Sequence, residues 1–219
     1  MIKMPKPASK KPRKLTKYWP MGRNVQPMTS SAMPASIPQW VAVSVVVPVF
    51  NEFESIDPMV REVVGVMEEL GRPYEVLLVD DGSQDGTWEK LVTLRGEFDR
   101  LGLIRFRRNF GQTAAMSAGF HHARGEVVIT LDADMQNDPA NIPDLLARMD
   151  QGYDVVSGWR KDRQDRFLDR RLPSILANAL ISKITGVSLH DFGCTLKAYR
   201  RSVIQNVHLY GEMHRFIPA

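Results

Sequence analysis

The sequence predicts an α/β fold, with a mostly parallel β-sheet and helices on both of its faces. Two observations predict it. Short runs of apolar, often β-branched residues alternate with longer segments whose apolar residues recur every three or four positions. Each apolar run also ends in polar residues, as strands do when their carboxyl ends form a ligand crevice. Such an alternation favours parallel strands covered by helices.

The predicted elements follow one another in a strand–helix order. Apolar runs predict strands over residues 41–50, 74–79, 101–106, 126–131 and 153–157. The pattern predicts helices over 56–70, 112–123 and 142–149, and a further helix that starts after Thr87. Ser55 is a candidate N-cap of the first helix and Gly71 its stop signal. Neither a Gly-x-Gly-x-x-Gly turn nor a Walker lysine follows any strand, which argues against dinucleotide binding and P-loop chemistry.

The first 40 residues differ from the rest of the chain in composition. They hold eight of the 29 Lys and Arg residues, seven of the 14 Pro residues, and no Asp or Glu. The formal charge of +4 therefore divides into +8 for this tail and −4 for residues 41–219, which carry 21 basic and 25 acidic residues. We expect a disordered basic tail over 1–40, without the apolar region of a secretory signal, and one folded domain over 41–219.

A compact set of oxygen donors follows the fourth predicted strand. Asp132 and Asp134 stand two residues apart, and Gln136 adds an amide oxygen two residues further on. Such ligands suit Mg²⁺ or Mn²⁺, which bind through one or two carboxylates together with substrate phosphates. An acidic turn would also explain a lone Asp-x-Asp. However, polar residues follow the first three strands as well, at 51–52, 80–85 and 107–109, and turns alone do not readily explain that recurrence.

A basic cluster lies beside an amphipathic segment late in the chain. Six Arg and Lys residues fall between 160 and 171, and apolar residues recur at helical spacing over 172–184. This combination suits contact with a membrane surface, although an ordinary core-facing helix with a solvated flank explains it equally well. No run reaches the roughly 20 apolar residues that a membrane-spanning helix requires. The single cysteine, Cys194, is better explained as a small core residue than as a nucleophile.

Six segments carry a family resemblance when they are read together. In order they are VVVPVFNE (45–52), VDDGSQDGT (79–87), RNFGQTAA (108–115), DADMQ (132–136), DFGCTLKAY (191–199) and MHRFIP (213–218). Each segment alone is weak evidence, but six in this order over one domain are specific. The series resembles the family 2 glycosyltransferases of the dolichyl- or undecaprenyl-phosphate sugar synthase type, the polyprenyl-phosphate glycosyltransferases. The resemblance spans about residues 41–218 and makes 41–219 a catalytic domain of GT-A-like fold.

The resemblance also implies roles for individual residues. The nucleotide sugar would be bound by residues after three strands, with Val79 and Asp81 at the base and ribose: Pro48, Phe50, Glu52, Val79, Asp81, Asp132 and Ala133. The metal ligands would be Asp132, Asp134 and Gln136. Basic residues would hold the acceptor phosphate, namely Arg160, Arg163, Arg166, His214 and Arg215. Of all these, Asp134, Arg160 and Arg215 would be the catalytic residues.

The implied reaction transfers a sugar from a UDP- or GDP-linked donor to dolichyl or undecaprenyl phosphate. The resemblance implies inversion at the anomeric carbon by direct displacement, with Mg²⁺ or Mn²⁺ acting as a Lewis acid on the donor diphosphate. A phosphomonoester has a second pKa near about 6, so the acceptor is largely anionic at neutral pH. Such an acceptor needs positioning and charge shielding more than a strong general base.

The expected partners are the nucleotide sugar, the polyprenyl phosphate lipid and a membrane surface. We expect no nucleic-acid partner, and a homo-oligomer is compatible with the sequence. Similar proteins continue past the His-Arg-Phe-Ile-Pro segment into interface and often membrane-spanning helices, so a chain that stops at Ala219 is expected to be a fragment or truncated form. The expected location is the cytoplasmic face of a membrane, or the soluble cytoplasm for a truncated fragment.

Two other functions stay open at this point. A sugar nucleotidyltransferase would also need a metal and acids, but it would favour a Gly-rich phosphate loop after the first strand, where this chain has Asn51 and Glu52. A non-catalytic module binding nucleic acid or membrane depends on the basic tail alone. Deletion of residues 1–40 separates this last hypothesis from the enzymes, because an enzyme keeps its turnover.

Overall fold

The computed structural model describes residues 40–158 and 194–205, which contain a six-stranded sheet. The strands are β1 (Val43–Val49), β2 (Tyr74–Asp80), β3 (Leu101–Arg105), β4 (Val127–Thr130), β5 (Val155–Ser157) and β6 (Lys197–Arg200). Their order across the sheet is β3-β2-β1-β4-β6-β5. The pairs β1–β2, β1–β4 and β2–β3 are parallel, whereas β6 is antiparallel to both of its neighbours. The predicted mostly parallel sheet is therefore confirmed.

Helices cover both faces of this sheet, as predicted. They are α1 (Ile56–Leu70), α2 (Thr87–Glu97), α3 (Gln112–His122), α4 (Ile142–Asp150) and the short α5 (Arg201–Ile204), and a 3₁₀ turn spans Pro139–Asn141. Each predicted helix and strand lies within three residues of its observed bounds. Gly71 ends α1 with a positive φ of 62° and donates its N–H to Glu68. Ser55 occupies the N-cap position, but its hydroxyl hydrogen-bonds to Glu52 instead of capping the helix.

The core consists of two apolar clusters, one on each face of the sheet. On the first face, alternate residues of β1 (Val43, Val45, Val47 and Val49) pack with α1, α2 and α4. On the second face, Val46 packs with Met116 and Phe120 of α3. Gly119 lets α3 approach β1 closely, because a Cβ at that position would lie 2.2 Å from a methyl carbon of Val46. A strand buried on both faces has a continuous apolar sequence, which is the pattern seen in residues 41–50.

The sixth strand is the main feature of the sheet that the strand predictions lacked. β6 lies between β4 and β5, so that the fourth and fifth strands of the chain are not neighbours. Its residues pair with Val127 to Thr130 of β4 on one side and with Val155 to Ser157 of β5 on the other. Four residues with Lys and Arg at their ends give little strand signal by themselves. Their pairing is decided by contacts with sequence-distant strands.

Several predictions concern residues outside the described ranges. These are the tail over 1–39, the basic cluster and amphipathic segment over 160–184, and the segment at 213–218. Cys194 is described, and it is buried in the first core cluster as expected. Within 40–158 and 194–205, no helix combines the length and the apolarity that crossing a bilayer requires.

Candidate active site at the carboxyl edge of the sheet

A cavity of about 290 Å³ opens where the parallel strands end, at what we call the carboxyl edge of the sheet. Seven of the residues predicted to bind the donor or the metal line it: Pro48, Phe50, Glu52, Asp81, Asp132, Ala133 and Asp134. They come from the ends of β1, β2 and β4, which are neighbouring strands in the sheet. The carboxyl ends of adjacent parallel strands are where open α/β sheets bind ligands.

Asp81 lines this cavity and is almost fully buried, with 2% of its surface exposed. One carboxylate oxygen accepts the backbone N–H of Phe110 at 2.7 Å, and the other accepts that of Gly111 at 2.8 Å. Both donors belong to the segment that joins β3 to α3. Asp81 therefore holds this segment in place. If Asp81 also contacts a nucleoside, it does so with the same carboxylate.

The segment after β1 is fixed by hydrogen bonds to the segment after β2. The backbone N–H of Asn51 donates to the Ser83 hydroxyl at 2.9 Å, and the N–H of Glu52 donates to the Thr87 hydroxyl at 2.9 Å. In return, the side-chain oxygen of Asn51 accepts the N–H of Gln84 at 2.9 Å. Asn51 adopts a left-handed φ of 55°, a conformation that asparagine tolerates better than most residues. These contacts position Phe50 and Glu52 on either side of Asn51.

Asp85 supports the same pair of segments through its ionised form. Burial is the largest single influence and raises its pKa, but the hydrogen bonds from the hydroxyl and N–H of Thr87 and from the N–H of Phe53 together outweigh it and lower the pKa below its usual value. The Thr87 N–H lies 3.0 Å from one oxygen and the Phe53 N–H 3.2 Å from the other. Hydrogen bonds donated to a carboxylate favour its charged state. The charge of Asp85 is thus coupled to the geometry of the β1 and β2 ends.

The acidic segment after β4 is held by side-chain contacts of Asp132 and Asn137. Asp132 accepts a hydrogen bond from the side-chain amide of Gln112 at 2.7 Å. Asp134 is exposed and accepts the N–H of Gln136 at 3.1 Å. Behind the segment, Asn137 donates to the Thr195 hydroxyl at 2.7 Å, which ties it to the residues that lead into β6. The two carboxylates thus face the cavity from a segment that is anchored at its far end.

Two predicted site residues lie away from this cavity. The side chain of Val79 is fully buried within β2, and Val79 does not line the cavity. Gln136 is exposed and also does not line it. Their predicted roles, in binding the base and the metal, stay predictions. The residues predicted to hold the acceptor phosphate lie outside the described ranges: Arg160, Arg163, Arg166, His214 and Arg215. Their roles also stay predictions.

Apart from Val49 at the end of β1, three lining residues were not predicted as ligands, namely Asn109, Gly111 and Gln112. They follow β3, which pairs with β2, and lead into α3, which packs against β1. Their signal in the sequence was their position at the end of a predicted strand. Gln112 was predicted as the first residue of α3, and the structure adds its contact with Asp132. This contact joins the segment after β3 to the acidic segment after β4.

The donor set at Asp132 and Asp134 is suited to a divalent metal that also binds substrate. Within the described parts of the chain, no three His, Cys, Asp or Glu side chains cluster closely enough to hold a metal ion by themselves. Two carboxylates beside an open cavity nevertheless match the preference of Mg²⁺ and Mn²⁺ for a few hard oxygen ligands completed by water and substrate phosphates. A resident metal would therefore depend on the phosphate groups of a bound ligand.

Comparison with known proteins identifies the class of protein that this fold and site define. The sequence profile of glycosyl transferase family 2 matches residues 44–207. The chain belongs to this family.

Two curated relatives are particularly similar to the chain. The dodecaprenyl-phosphate galacturonate synthase of Rhizobium johnstonii is 47% identical over 204 residues, which are 91% of this chain and 59% of that protein. The undecaprenyl-phosphate 4-deoxy-4-formamido-L-arabinose transferase of Salmonella paratyphi A is 46% identical over 177 residues, which are 80% of this chain and 54% of that protein. The chain thus spans between half and two thirds of the length of these relatives.

Solved structures confirm the fold. Residues 1–349 of Staphylococcus aureus TarS match with a TM-score of 0.57 and 22% identity, over 81% of this chain and 54% of that one. The glucosyl-3-phosphoglycerate synthase of Mycobacterium tuberculosis, solved with Mn²⁺, UDP and phosphoglyceric acid, matches with a TM-score of 0.59 and 17% identity, over 76% of this chain and 62% of that one. The predicted GT-A-like fold is confirmed.

Proposed function

We propose that this chain is the catalytic domain of a polyprenyl-phosphate glycosyltransferase. It transfers a sugar from a UDP- or GDP-linked donor to a lipid phosphate, with inversion at the anomeric carbon and with a divalent metal. The names of the relatives from Rhizobium and Salmonella, both polyprenyl-phosphate sugar transferases, support the acceptor class. The bound UDP and Mn²⁺ of the mycobacterial structure accord with the donor and metal.

One observation carries the proposal. A single cavity is lined both by the residues assigned to the nucleoside, Pro48, Phe50 and Asp81, and by the residues assigned to the metal, Asp132 and Asp134. A nucleotide sugar has its base and its diphosphate at opposite ends of a ribose. One site must therefore offer residues that bind the nucleoside and residues that hold a metal at the diphosphate. Gln112 links the two sets through its hydrogen bond to Asp132.

The residues divide the work as follows. Asp81, whose carboxylate orders the 110–111 backbone, holds the nucleoside against Pro48 and Phe50. Asp132 and Asp134 would hold the metal, and a metal bound there would supply Lewis-acid shielding for the negative charge of the leaving nucleoside diphosphate. Gln112 keeps the Asp132 carboxylate in one orientation through the contact at 2.7 Å. The anionic acceptor phosphate then needs to be aligned with the anomeric carbon, and alignment alone supplies much of the rate enhancement in such displacements.

The acceptor phosphate is assigned to Arg160, Arg163, Arg166, His214 and Arg215. Arginine offers a planar pair of donors that matches phosphate geometry. Arg160→Ala should raise the Michaelis constant for polyprenyl phosphate, or lower turnover, while nucleoside diphosphate affinity stays nearly unchanged. Equal loss of nucleotide affinity in Arg160→Ala and Asp81→Ala would instead make Arg160 a donor ligand.

The decisive experiment offers the chain a panel of radiolabelled UDP- and GDP-sugars with polyprenyl phosphate and Mn²⁺. Label should enter the organic phase with one donor, and a chelator should abolish the transfer. The anomeric configuration of the lipid product, determined by NMR, tests inversion. Release of free sugar into water without lipid product would contradict the proposed acceptor.

Two variants control this experiment. Full transfer after deletion of residues 1–40 is expected, and its loss would favour a function of the tail. Asp144→Asn removes an exposed carboxylate of α4 that does not line the cavity, and it should leave transfer unchanged.

A further inference from the structure

A second cavity, of about 570 Å³, adjoins the candidate active site. It lies at the ends of β2 and β3, between the turn at 82–84 and the segment at 105–109. Phe50 and Asn109 line both cavities and so form the border between them. The acidic segment after β4 lines the far side of the first cavity and does not line the second, because β1 and β2 separate β4 from β3. The proposed transfer reaction therefore leaves this second cavity unused.

Three arginines give the second cavity a strongly positive lining. Arg105, Arg107 and Arg108 line it, and none of its described lining residues is acidic. Arg105 lies 3.5 Å from the buried Asp80 carboxylate, which is beyond ordinary hydrogen-bond distance, and its guanidinium stacks over Trp88. Arg108 stacks over Phe110, and Arg107 has no ion pair or hydrogen bond within the described residues. The Asp80 carboxylate offsets part of the charge of Arg105 alone. The excess positive charge of the three guanidinium groups favours an anionic ligand.

The segment that carries these arginines is held in place by the fold. Asp81 accepts the N–H groups of Phe110 and Gly111, and the N–H of Phe106 donates to the carbonyl of Asp80 at 2.8 Å. Phe106 and Phe110 pack edge to face, with their ring centroids 5.6 Å apart. Gly82 allows the turn at 82–84 to approach the segment at 105–109 closely, because a Cβ at position 82 would lie 2.6 Å from the carbonyl carbon of Arg108. The cationic groups therefore project from a fixed backbone.

Exposed apolar side chains surround the same edge of the molecule. Seven large apolar residues are substantially exposed in the described part of the chain, and four of them lie on segments that follow β1, β3 or β4: Phe50, Phe53, Phe110 and Met135. Phe110 is 52% exposed and Phe50, which lines the cavity, is 43% exposed. Aromatic side chains next to arginines are typical of surfaces at the boundary between headgroups and acyl chains of a bilayer.

We propose that the arginine-lined cavity binds the phosphate of an anionic membrane phospholipid, with Phe110 entering the interfacial layer. The arginines match the chemistry of a phosphodiester, and the exposed aromatic rings favour a lipid over a phosphate ion in water. This inference extends the proposed function, since an acceptor whose chain stays in a membrane must reach the carboxyl edge of the sheet. The test of this inference measures binding to vesicles and does not measure sugar transfer. Vesicle binding can therefore fail while transfer persists, and transfer can fail while vesicle binding holds.

The first experiment compares binding of full-length variants to phosphatidylglycerol and phosphatidylcholine vesicles. Arg107→Gln and Arg108→Gln should each weaken binding to the anionic vesicles by about fivefold. Arg148→Gln is the matched control, because it removes an exposed arginine of α4 that has no described partner. The comparison is repeated with Lys10, Lys11, Arg13 and Lys14 changed to Gln, so that the basic tail does not mask the effect.

A second experiment reports which surface touches the lipid. Cys194 is buried, so a cysteine introduced at an exposed position can be labelled selectively with an environment-sensitive dye. A label on Phe110→Cys should shift to shorter wavelength with anionic vesicles. A label on Tyr153→Cys, a position 54% exposed that precedes β5, should not shift.

Four outcomes would overturn the inference. Equal weakening by Arg148→Gln would show attraction by net charge alone. Binding of inorganic phosphate that is lost in Arg107→Gln, without any effect on vesicles, would make the cavity a site for free phosphate. Weakened binding of UDP and GDP in Arg107→Gln would make it part of the donor site. Equal dye shifts at positions 110 and 153 would remove the carboxyl edge as the contact surface.

Discussion

The segments that follow β2 and β4 both carry aspartates into the candidate active site, but they are supported very differently. After β2, Asp81 is buried and uses both oxygens to order the backbone at Phe110 and Gly111. After β4, Asp134 is exposed and its carboxylate accepts the N–H of Gln136, two residues away. The first segment orders a neighbouring backbone and also lines the cavity, whereas in the second segment Asp134 presents an exposed carboxylate whose hydrogen bond is local.

This difference separates stability from function in a testable way. A buried carboxylate with two backbone donors cannot be removed without leaving those donors unsatisfied. An exposed carboxylate at a cavity can be neutralised at little cost to folding, so the loss appears in chemistry. Variants of Asp81 should therefore impair both folding and binding, and variants of Asp134 should impair function alone.

The largest expected effect is that of Asp134→Asn on transfer. Loss of a charged metal ligand should lower turnover by more than about a hundredfold, because metal stabilisation of the leaving group is worth several kcal/mol. The midpoint of thermal unfolding should match that of the wild-type protein. Transfer of labelled sugar to lipid, measured in metal-replete buffer, checks the first part, and calorimetry checks the second. Turnover within a few-fold of wild type would refute the metal assignment.

Asp81→Asn should have a smaller effect on function and a measurable effect on stability. The amide cannot accept both backbone N–H groups, so the free energy of unfolding should fall by about 1–3 kcal/mol. Affinity for the free nucleoside diphosphate should fall by about tenfold, which corresponds to about 1.4 kcal/mol. Urea unfolding and titration calorimetry measure the two quantities. A lower stability with unchanged nucleotide affinity would leave Asp81 as a structural residue only.

Gln112→Ala tests the link between the two segments. Loss of its hydrogen bond to Asp132 should lower turnover by about fivefold, since one such bond is worth about 1 kcal/mol. Nucleoside diphosphate affinity measured without metal should change less than affinity measured with metal. Gln84→Ala, which changes an exposed glutamine that does not line the candidate active site, provides the control. Equal loss of affinity with and without metal would place Gln112 on the nucleoside instead of on the metal ligand.

The smallest expected effect concerns pH. The folded-state pKa of Asp85 is lowered, so its contribution to stability is full above the unfolded pKa of about 3.9 and is lost as pH falls through the lower folded value. Asp85→Asn should lower the free energy of unfolding at pH 7 by less than about 1 kcal/mol and flatten its decline below about pH 4. Urea unfolding between pH 7 and pH 2.5, with Asp144→Asn as control, measures this. An unchanged slope in Asp85→Asn would contradict it.

The helical and strand pattern could be predicted because it is local. The apolar run at 41–50 and the spacing of Ile56, Met59, Val63 and Met67 identify a doubly buried strand and an amphipathic helix without any tertiary information. The strand-end argument likewise predicted that Asp81, Asp132 and Asp134 lie at one edge, and the cavity contains all three. Val79 was assigned by resemblance alone and Gln136 also by its spacing from the two carboxylates, and neither of them lines the cavity.

The sequence by itself determined the alternation of elements, the apolar faces that must be buried, and the acids that end the strands. Tertiary structure decided what those residues contact. It inserted β6 between β4 and β5, gave Asp81 the backbone of residues 110–111, and set Arg105, Arg107 and Arg108 around a cavity of their own. The physical reason is that periodicity records only which face of an element is buried, whereas strand order and hydrogen-bond partners depend on contacts between residues far apart in the chain.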